Sequence, residues 1–352
     1  MIMMLSLTLS AGQKVKNVIF MIGDGMGLAA VTAAWIGEGQ PLAMQRATVG
    51  GFVATWSASA RVTDSAAAAT ALACGVKTAN GVIGQTPDGQ SVESILTRAH
   101  KAGLATGLVD TYSITDATPA GFIAHVRSRK DQETIAAQIA DSGIDVFMGG
   151  GRQFFTSRKD GRNLAAEMEA KGYRMTGTLD EALSCKRPRL GVLAAEGALE
   201  KADAGRGDYL ARATEKTLEL LKAASRKGFF VMIEGSMIDG GGHANDLKMV
   251  VSETLDFDRA VARAFDFADR NPGTLVVVTA DHETGGLTMP AASNDKEQHA
   301  LTPGVDYLFS TKGHTCTMVP LLAYGAGAEA FGGIKDNTDL PRIMARLLGL
   351  KW

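Results

Sequence analysis

Cysteine is scarce. Only three occur in 352 residues. Cys74, Cys185 and Cys316 lie far apart with no CxxC pair, which excludes a zinc ribbon and a disulfide framework while leaving room for one bridge. An excess of one charge is lacking too. The 36 Lys and Arg stand against 38 Asp and Glu, for a net charge of -2, so there is no basic footprint for nucleic acid. No apolar run is long enough to span a membrane. Prolines number 9 against 41 glycines, which favours many tight loops over a disordered tail. The remainder is ordinary: 45% hydrophobic and 21% charged residues describe a globular protein. The length suits one large α/β domain or two ordinary ones.

Residues 1–12 are apolar, then small and polar. They read as the back half of a secretory signal without its basic start, or as a plain N-terminal extension. The signal reading implies a periplasmic or secreted protein.

Apolar runs at Val15–Ile22, Val49–Trp56, Ala105–Val109, Asp145–Met148, Phe229–Ile233, Thr274–Thr279 and Val319–Ala323 predict strands. Helical spacing is expected over Leu28–Ile36, from Ser65, over Ser91–Ala102, Ala120–Val126, Gln132–Ala140, Ala211–Ser225, Lys248–Asp269 and Asp339–Leu348. The residues from Met289 to Phe309 read as irregular. Strands alternating with helices imply a mostly parallel sheet covered on both faces, with ligands bound beyond the carboxyl ends of the strands.

That rule focuses attention on three acids. Asp24, Glu234 and Asp281 each follow a strand, and three carboxylates on one sheet edge repel unless cations hold them. Three of the six histidines keep similar company. His243 follows Asp239 by four residues, His282 follows Asp281, and His314 sits in a Gly-His-Thr turn. His100, His125 and His299 have no such neighbours and read as structural or exposed. Nitrogen and oxygen donors without cysteine suit zinc, while Asp24, Thr118 and Glu234 offer the hard oxygens that suit magnesium. Ser65 opens an alanine-rich helix whose first N–H groups suit an anion such as phosphate. An aspartate-serine pair before alanines is more often a plain N-cap.

Six motifs in order change that balance. They are Asp24 in IGDGMG, Asp64-Ser65-Ala66, Asp116-Ala117-Thr118-Pro119, Glu234-Gly235 with Asp239 and His243, Thr279-Ala280-Asp281-His282, and Gly313-His314-Thr315. Together they resemble the alkaline phosphatases from about Asn17 to about Gly325. The resemblance implies a three-layer α/β sandwich with a mostly parallel central sheet and a reduced crown insertion at about 287–312. It implies one catalytic domain over 13–352.

The family roles follow residue by residue. Ser65 resembles the nucleophile that becomes phosphoserine, and Arg129 the arginine that grips phosphate oxygens. Asp239, His243 and His314 resemble the ligands of a first zinc, and Asp24, Asp281 and His282 those of a second. Asp24, Thr118 and Glu234 resemble the magnesium ligands. Asp64 is expected to orient Arg129, and Asp116 to stand behind the magnesium ligands. The implied activity is hydrolysis of small phosphate monoesters, with no nucleic acid or membrane as partner; members of the family are often homodimers, and the reduced insertion leaves a monomer as the alternative. Phosphodiester, phosphonate or sulfate hydrolysis on the same metal core is the alternative within enzymes, and a non-catalytic phosphate-binding protein the alternative outside them. Two departures stand out. Gly240 follows Asp239 where the best-known bacterial enzyme carries lysine, and the three cysteines do not support the usual pair of bacterial disulfides.

Overall fold

The apolar runs become strands of one sheet because both of their faces are covered. In the computed structural model, which describes residues 14–291 and 305–352, β1 (Asn17–Gly23), β7 (Phe229–Gly235) and β8 (Thr274–Thr279) are buried along nearly their whole length. A strand covered on both faces needs no polar alternation. Each fully buried Phe or Ile in them contributes about 1.5–3 kcal/mol of transfer free energy.

The remaining strands of the sheet are β2 (Val49–Ala54), β3 (Ala105–Ser113), β4 (Val146–Gly150), β5 (Arg174–Thr176), β6 (Leu190–Leu193), β13 (Val319–Gly325) and β14 (Gly333–Asp336). Their order is β14-β2-β13-β8-β1-β7-β3-β4-β6-β5. Every pairing is parallel except those of β13, which runs against β2 and β8. Short ribbons complete the described strands: β9 (Glu283–Thr284) with β12 (His314–Thr315), and β10 (Leu287–Thr288) with β11 (Leu308–Phe309).

Two groups of helices cover the sheet. Leu28–Glu38, Tyr209–Ala224 and Leu247–Arg270 pack together against β1, β3, β7 and β8, and Ser65–Cys74, Ile95–Lys101 and Asp339–Leu348 pack together against β1, β3 and β7. Among the described residues no helix is long and apolar enough to cross a membrane.

Some expectations shift. The helix after Asp116 spans Ala117–Gly121 rather than Ala120–Val126. Its last residue is Gly121, where a Cβ would stand 2.8 Å from the Ala69 Cβ, and Val126 beyond it pairs with Ile83. Strand β3 continues past Val109 to Ser113, through a register shift against β4. Strands β5 and β14 escape the apolar-run criterion because they are short and half exposed. Cys74, Cys185 and Cys316 are all free thiols. His299 and part of the 287–312 insertion lie outside the described residues, as do residues 1–12.

Candidate active site

The carboxyl ends of β1, β3, β7 and β8 converge, and the site residues hang from the loops that leave them. Asp24 follows β1, and Gly25 turns the chain there with φ +70°. No other residue fits, since a Cβ on Gly25 would lie 2.7 Å from the Asp239 Cα. Glu234 is the penultimate residue of β7, in register with Ile22 and Asp110. Asp239 and His243 lie on the next helix, Met237–Ala244, where four-residue spacing sets them side by side.

Ser65 is the first residue of the Ser65–Cys74 helix, and Asp64 is its N-cap, accepting from the Ala67 N–H at 3.0 Å. The ordinary capping role is therefore real, and the rest of the site is built around it. The Ser65 hydroxyl is buried and lies 3.2 Å from His282 Nε2. His282 Nε2 in turn stands 3.1 Å from Asp281 Oδ2 and 3.5 Å from Asp24 Oδ1.

Two clusters of donors emerge. Ligand atoms of Asp24, Asp281 and His282 lie within 4.8 Å of one another, and so do those of Asp239, His282 and His314. His243 Nε2 joins the second cluster, 3.2 Å from Asp239 Oδ2 and 3.2 Å from His314 Nε2. Backbone carbonyls hold the far side of two rings: His314 Nδ1 lies 2.9 Å from the Thr63 carbonyl and His243 Nδ1 2.5 Å from that of Lys312. A proton fixed on Nδ1 leaves Nε2 as the free donor for a metal. Thr284, which carried no signal in the sequence, donates to Asp239 and lies 3.2 Å from His282 Nδ1.

A third group consists of buried oxygens without hydrogen bonds. Asp24 Oδ1, Thr118 Oγ1 and Glu234 Oε2 have no hydrogen-bond partner. Buried polar atoms are rarely left so, and a hard cation is the kind of partner that hydroxyl and carboxylate oxygens accept. The donor chemistry thus fits nitrogen-and-oxygen metal sites beside an all-oxygen one.

The electrostatics express the same need. Burial pushes the Asp24 carboxyl well above the usual range, and Asp281, Asp239 and Glu234 push it further. Glu234 is raised by burial and then by Asp110, Asp116 and Asp281. Burial is the largest influence and opposes ionisation of Asp281 and Asp239, but His282 and the Gly25 N–H together outweigh it at Asp281, and His243, His282 and Thr284 together at Asp239, so both carboxyls fall below the ordinary value. The contact with Asp239 raises His243 to about 9. Burial and the neighbouring His282 charge lower His314.

Arg129 reaches the site from the loop after the Ala117–Gly121 helix. Its guanidinium lies 3.5 Å from Asp64 and 3.1 Å from Asp116, and the Arg129 backbone N–H donates to the Gly81 carbonyl at 2.8 Å. Asp64 thus meets Arg129 while capping the serine helix. Asp116 contacts the same arginine. Arg127 faces away, toward the Asp88 carbonyl at 3.4 Å. Asp24, Ser65, Asp116, Arg129, Asp239, His243 and His314 share a cavity of about 430 Å³. Tyr112, Lys201 and Ser236 also line it; none belongs to a motif, so none was legible beforehand. His125 lies elsewhere and contacts the Gly84 carbonyl at 2.7 Å, in keeping with a structural role.

Nearly the whole chain is similar to known proteins. The alkaline phosphatase family model matches residues 15–304. Alkaline phosphatase 4 of Bacillus subtilis is 34% identical, over 95% of this chain and 89% of its own length. The structure of alkaline phosphatase from the Antarctic bacterium TAB5 superposes with a TM-score of 0.90 at 38% identity, covering 97% of this chain and 99% of that one. A histidine variant of the TAB5 enzyme, with Mg bound in its M3 site, is equally similar, with a TM-score of 0.89 at 38% identity and the same coverage. A match this long to family model, relatives and fold leaves one conclusion: the chain belongs to the alkaline phosphatase family and is a phosphoric monoester hydrolase.

Proposed function

We propose that the enzyme hydrolyses phosphate monoesters through a phosphoserine at Ser65, with two zinc ions and one magnesium ion bound. The observation that carries this reading is the buried Ser65 hydroxyl 3.2 Å from His282 Nε2, in one cavity with Arg129, Asp24 of one donor cluster, and Asp239 and His314 of the other. Asp239, His243 and His314 would hold one zinc, Asp24, Asp281 and His282 the other, and Asp24, Thr118 and Glu234 the magnesium. The bound metals supply Lewis-acid stabilisation of the attacking and leaving oxygens in an in-line displacement.

The chain's own groups do the rest. Arg129 offers a planar fork matched to two phosphate oxygens, and Asp64 and Asp116 hold that fork in place. The Ser65 hydroxyl gives its proton up to solvent, and its oxygen forms a bond to phosphorus as the bond to the alcohol oxygen breaks. The alcohol oxygen takes a proton from solvent as it leaves. Water then gives up a proton and attacks the same phosphorus from the side the alcohol vacated, the bond to Ser65 breaks, the Ser65 oxygen regains a proton from solvent, and inorganic phosphate departs. Serine is a weak nucleophile unless something takes up its proton, so the crowding of bases and metal donors around Ser65 supports the assignment.

The same reading makes residues 13–352 one catalytic domain that works as a homodimer in the periplasm or outside the cell. Its test is phosphate release from an aryl phosphate at mildly alkaline pH, before and after chelation. Release is expected to stop on stripping and to return with zinc and magnesium. A folded, metal-loaded protein that releases nothing would overturn the reading and send the same preparation to diester, phosphonate and sulfate esters.

A further inference from the structure

One cation around Ser65 has no acid to hold it. Lys201 is exposed and lines the same cavity as Ser65, Arg129 and Tyr112. Among the described residues its ammonium has no ion pair, whereas Arg129 is held by Asp64 and Asp116 and the nearby Asp203 is taken by Lys248 at 3.2 Å.

The backbone beneath Lys201 is fixed. Buried Arg206 contacts Glu253 and lies 2.8 Å from Asp256. It also donates to the Glu200 carbonyl at 3.1 Å, while the Ala202 N–H donates to Glu253 at 2.9 Å. The residues on both sides of Lys201 are thus tied to one buried ion cluster, and only its side chain is free. Tyr112 is built alike. Its N–H donates to Asp110 at 2.8 Å, and its side chain, 40% exposed, lines the cavity. Gly240 adds wall without charge. An anchored, unpaired ammonium and an anchored aromatic ring at a reaction cavity are means of reading a ligand, since an ammonium attracts an anion and a ring offers a face to a planar or apolar body.

We propose that Lys201 and Tyr112 select the alcohol part of the substrate. Phosphate monoesters whose alcohol carries a second anionic group on a planar or apolar body are preferred. The inference rests on the phosphomonoesterase reading above. Lys201 contributes to binding in the ground state and the transition state alike, so its effect falls on KM.

The test compares 4-carboxyphenyl phosphate with its neutral partner 4-carbamoylphenyl phosphate on the metal-loaded enzyme. A solvent-facing ion pair changes binding about two- to fivefold, so kcat/KM should favour the carboxylate by about that factor, and less so at high salt. Lys201→Ala should remove the preference, Lys201→Glu should reverse it, and Lys201→Arg should keep it. Tyr112→Ala should weaken both aryl esters relative to glycerol 2-phosphate. A preference that is the same whatever stands at position 201 overturns the proposal while leaving the phosphomonoesterase reading intact. Turnover of neither ester by the unaltered enzyme overturns both.

Discussion

At the scale of single residues, Ser65 carries the sharpest claim. It sits at a helix start whose capping is done by its neighbour Asp64, so its own hydroxyl is not needed to hold the helix. Ser65→Ala should therefore leave the fold and metal content unchanged while turnover falls by about three orders of magnitude or more. Elemental analysis beside steady-state kinetics decides the matter, and near-normal turnover in the variant would remove Ser65 as nucleophile. The site was legible at this scale wherever chemistry needs a particular residue type in a short motif. Asp24, Asp281, His282 and Ser65 all stood out for that reason, and all meet. Thr284, Tyr112 and Lys201 did not. A threonine that steadies a carboxylate, or a lysine on a loop, resembles dozens of others until the chain has folded.

Elements tell a different part of the story. The strands at the centre of the sheet are continuous apolar runs, and Thr274–Thr279 was placed to the residue. The half-exposed edges β5 and β14 carry no such pattern. The direction of β13 was also hidden, because an apolar run says nothing of which way it runs. Nor did the pattern reveal the Arg206 cluster, since its partners Glu253 and Asp256 lie on the long helix Leu247–Arg270 with a spacing that reads as a solvated face. Their burial makes them consequential. Arg206→Met would leave buried Glu253 without its cation, beside Asp256, which keeps only Arg259 at 3.0 Å, at a cost of about 3–5 kcal/mol. Urea unfolding should show a lower midpoint by that measure. A midpoint within experimental error of the parent would mean that the cluster contributes little, and would also loosen the anchor assigned to Lys201.

For the whole molecule, the governing fact is that three buried acids, Asp24, Glu234 and Asp110, work against the fold when they are charged. Asp24 and Glu234 are raised, and burial lifts Asp110 from 3.8 to about 7. A carboxyl raised above its unfolded value stabilises the fold below the unfolded value, and that contribution is lost as pH climbs through the folded one. His243, raised from 6.5 to about 9, acts in the same sense over its own window. The lowered His314 opposes them around its ordinary value, while Asp239 and Asp281, already lowered, add nothing across this range. The metal-stripped protein should therefore lose thermal stability between about pH 4 and pH 9, and the metal-loaded protein should stay much flatter. Asp110→Asn should remove the part of the slope leading up to pH 7. Melting curves of both forms across this range provide the check, and parallel profiles with and without metal would contradict it.

The three orphaned oxygens of Asp24, Thr118 and Glu234 have a consequence for anyone who would improve this enzyme. In a metal-poor medium, a screen for heat resistance rewards every change that neutralises a buried acid, and such changes are the quickest route to a tougher protein. Its winners would be inert. On the metal reading proposed above, breeding for durability has to be done with those metals in the broth, where the same acids become assets and the easy escape through lost function is closed.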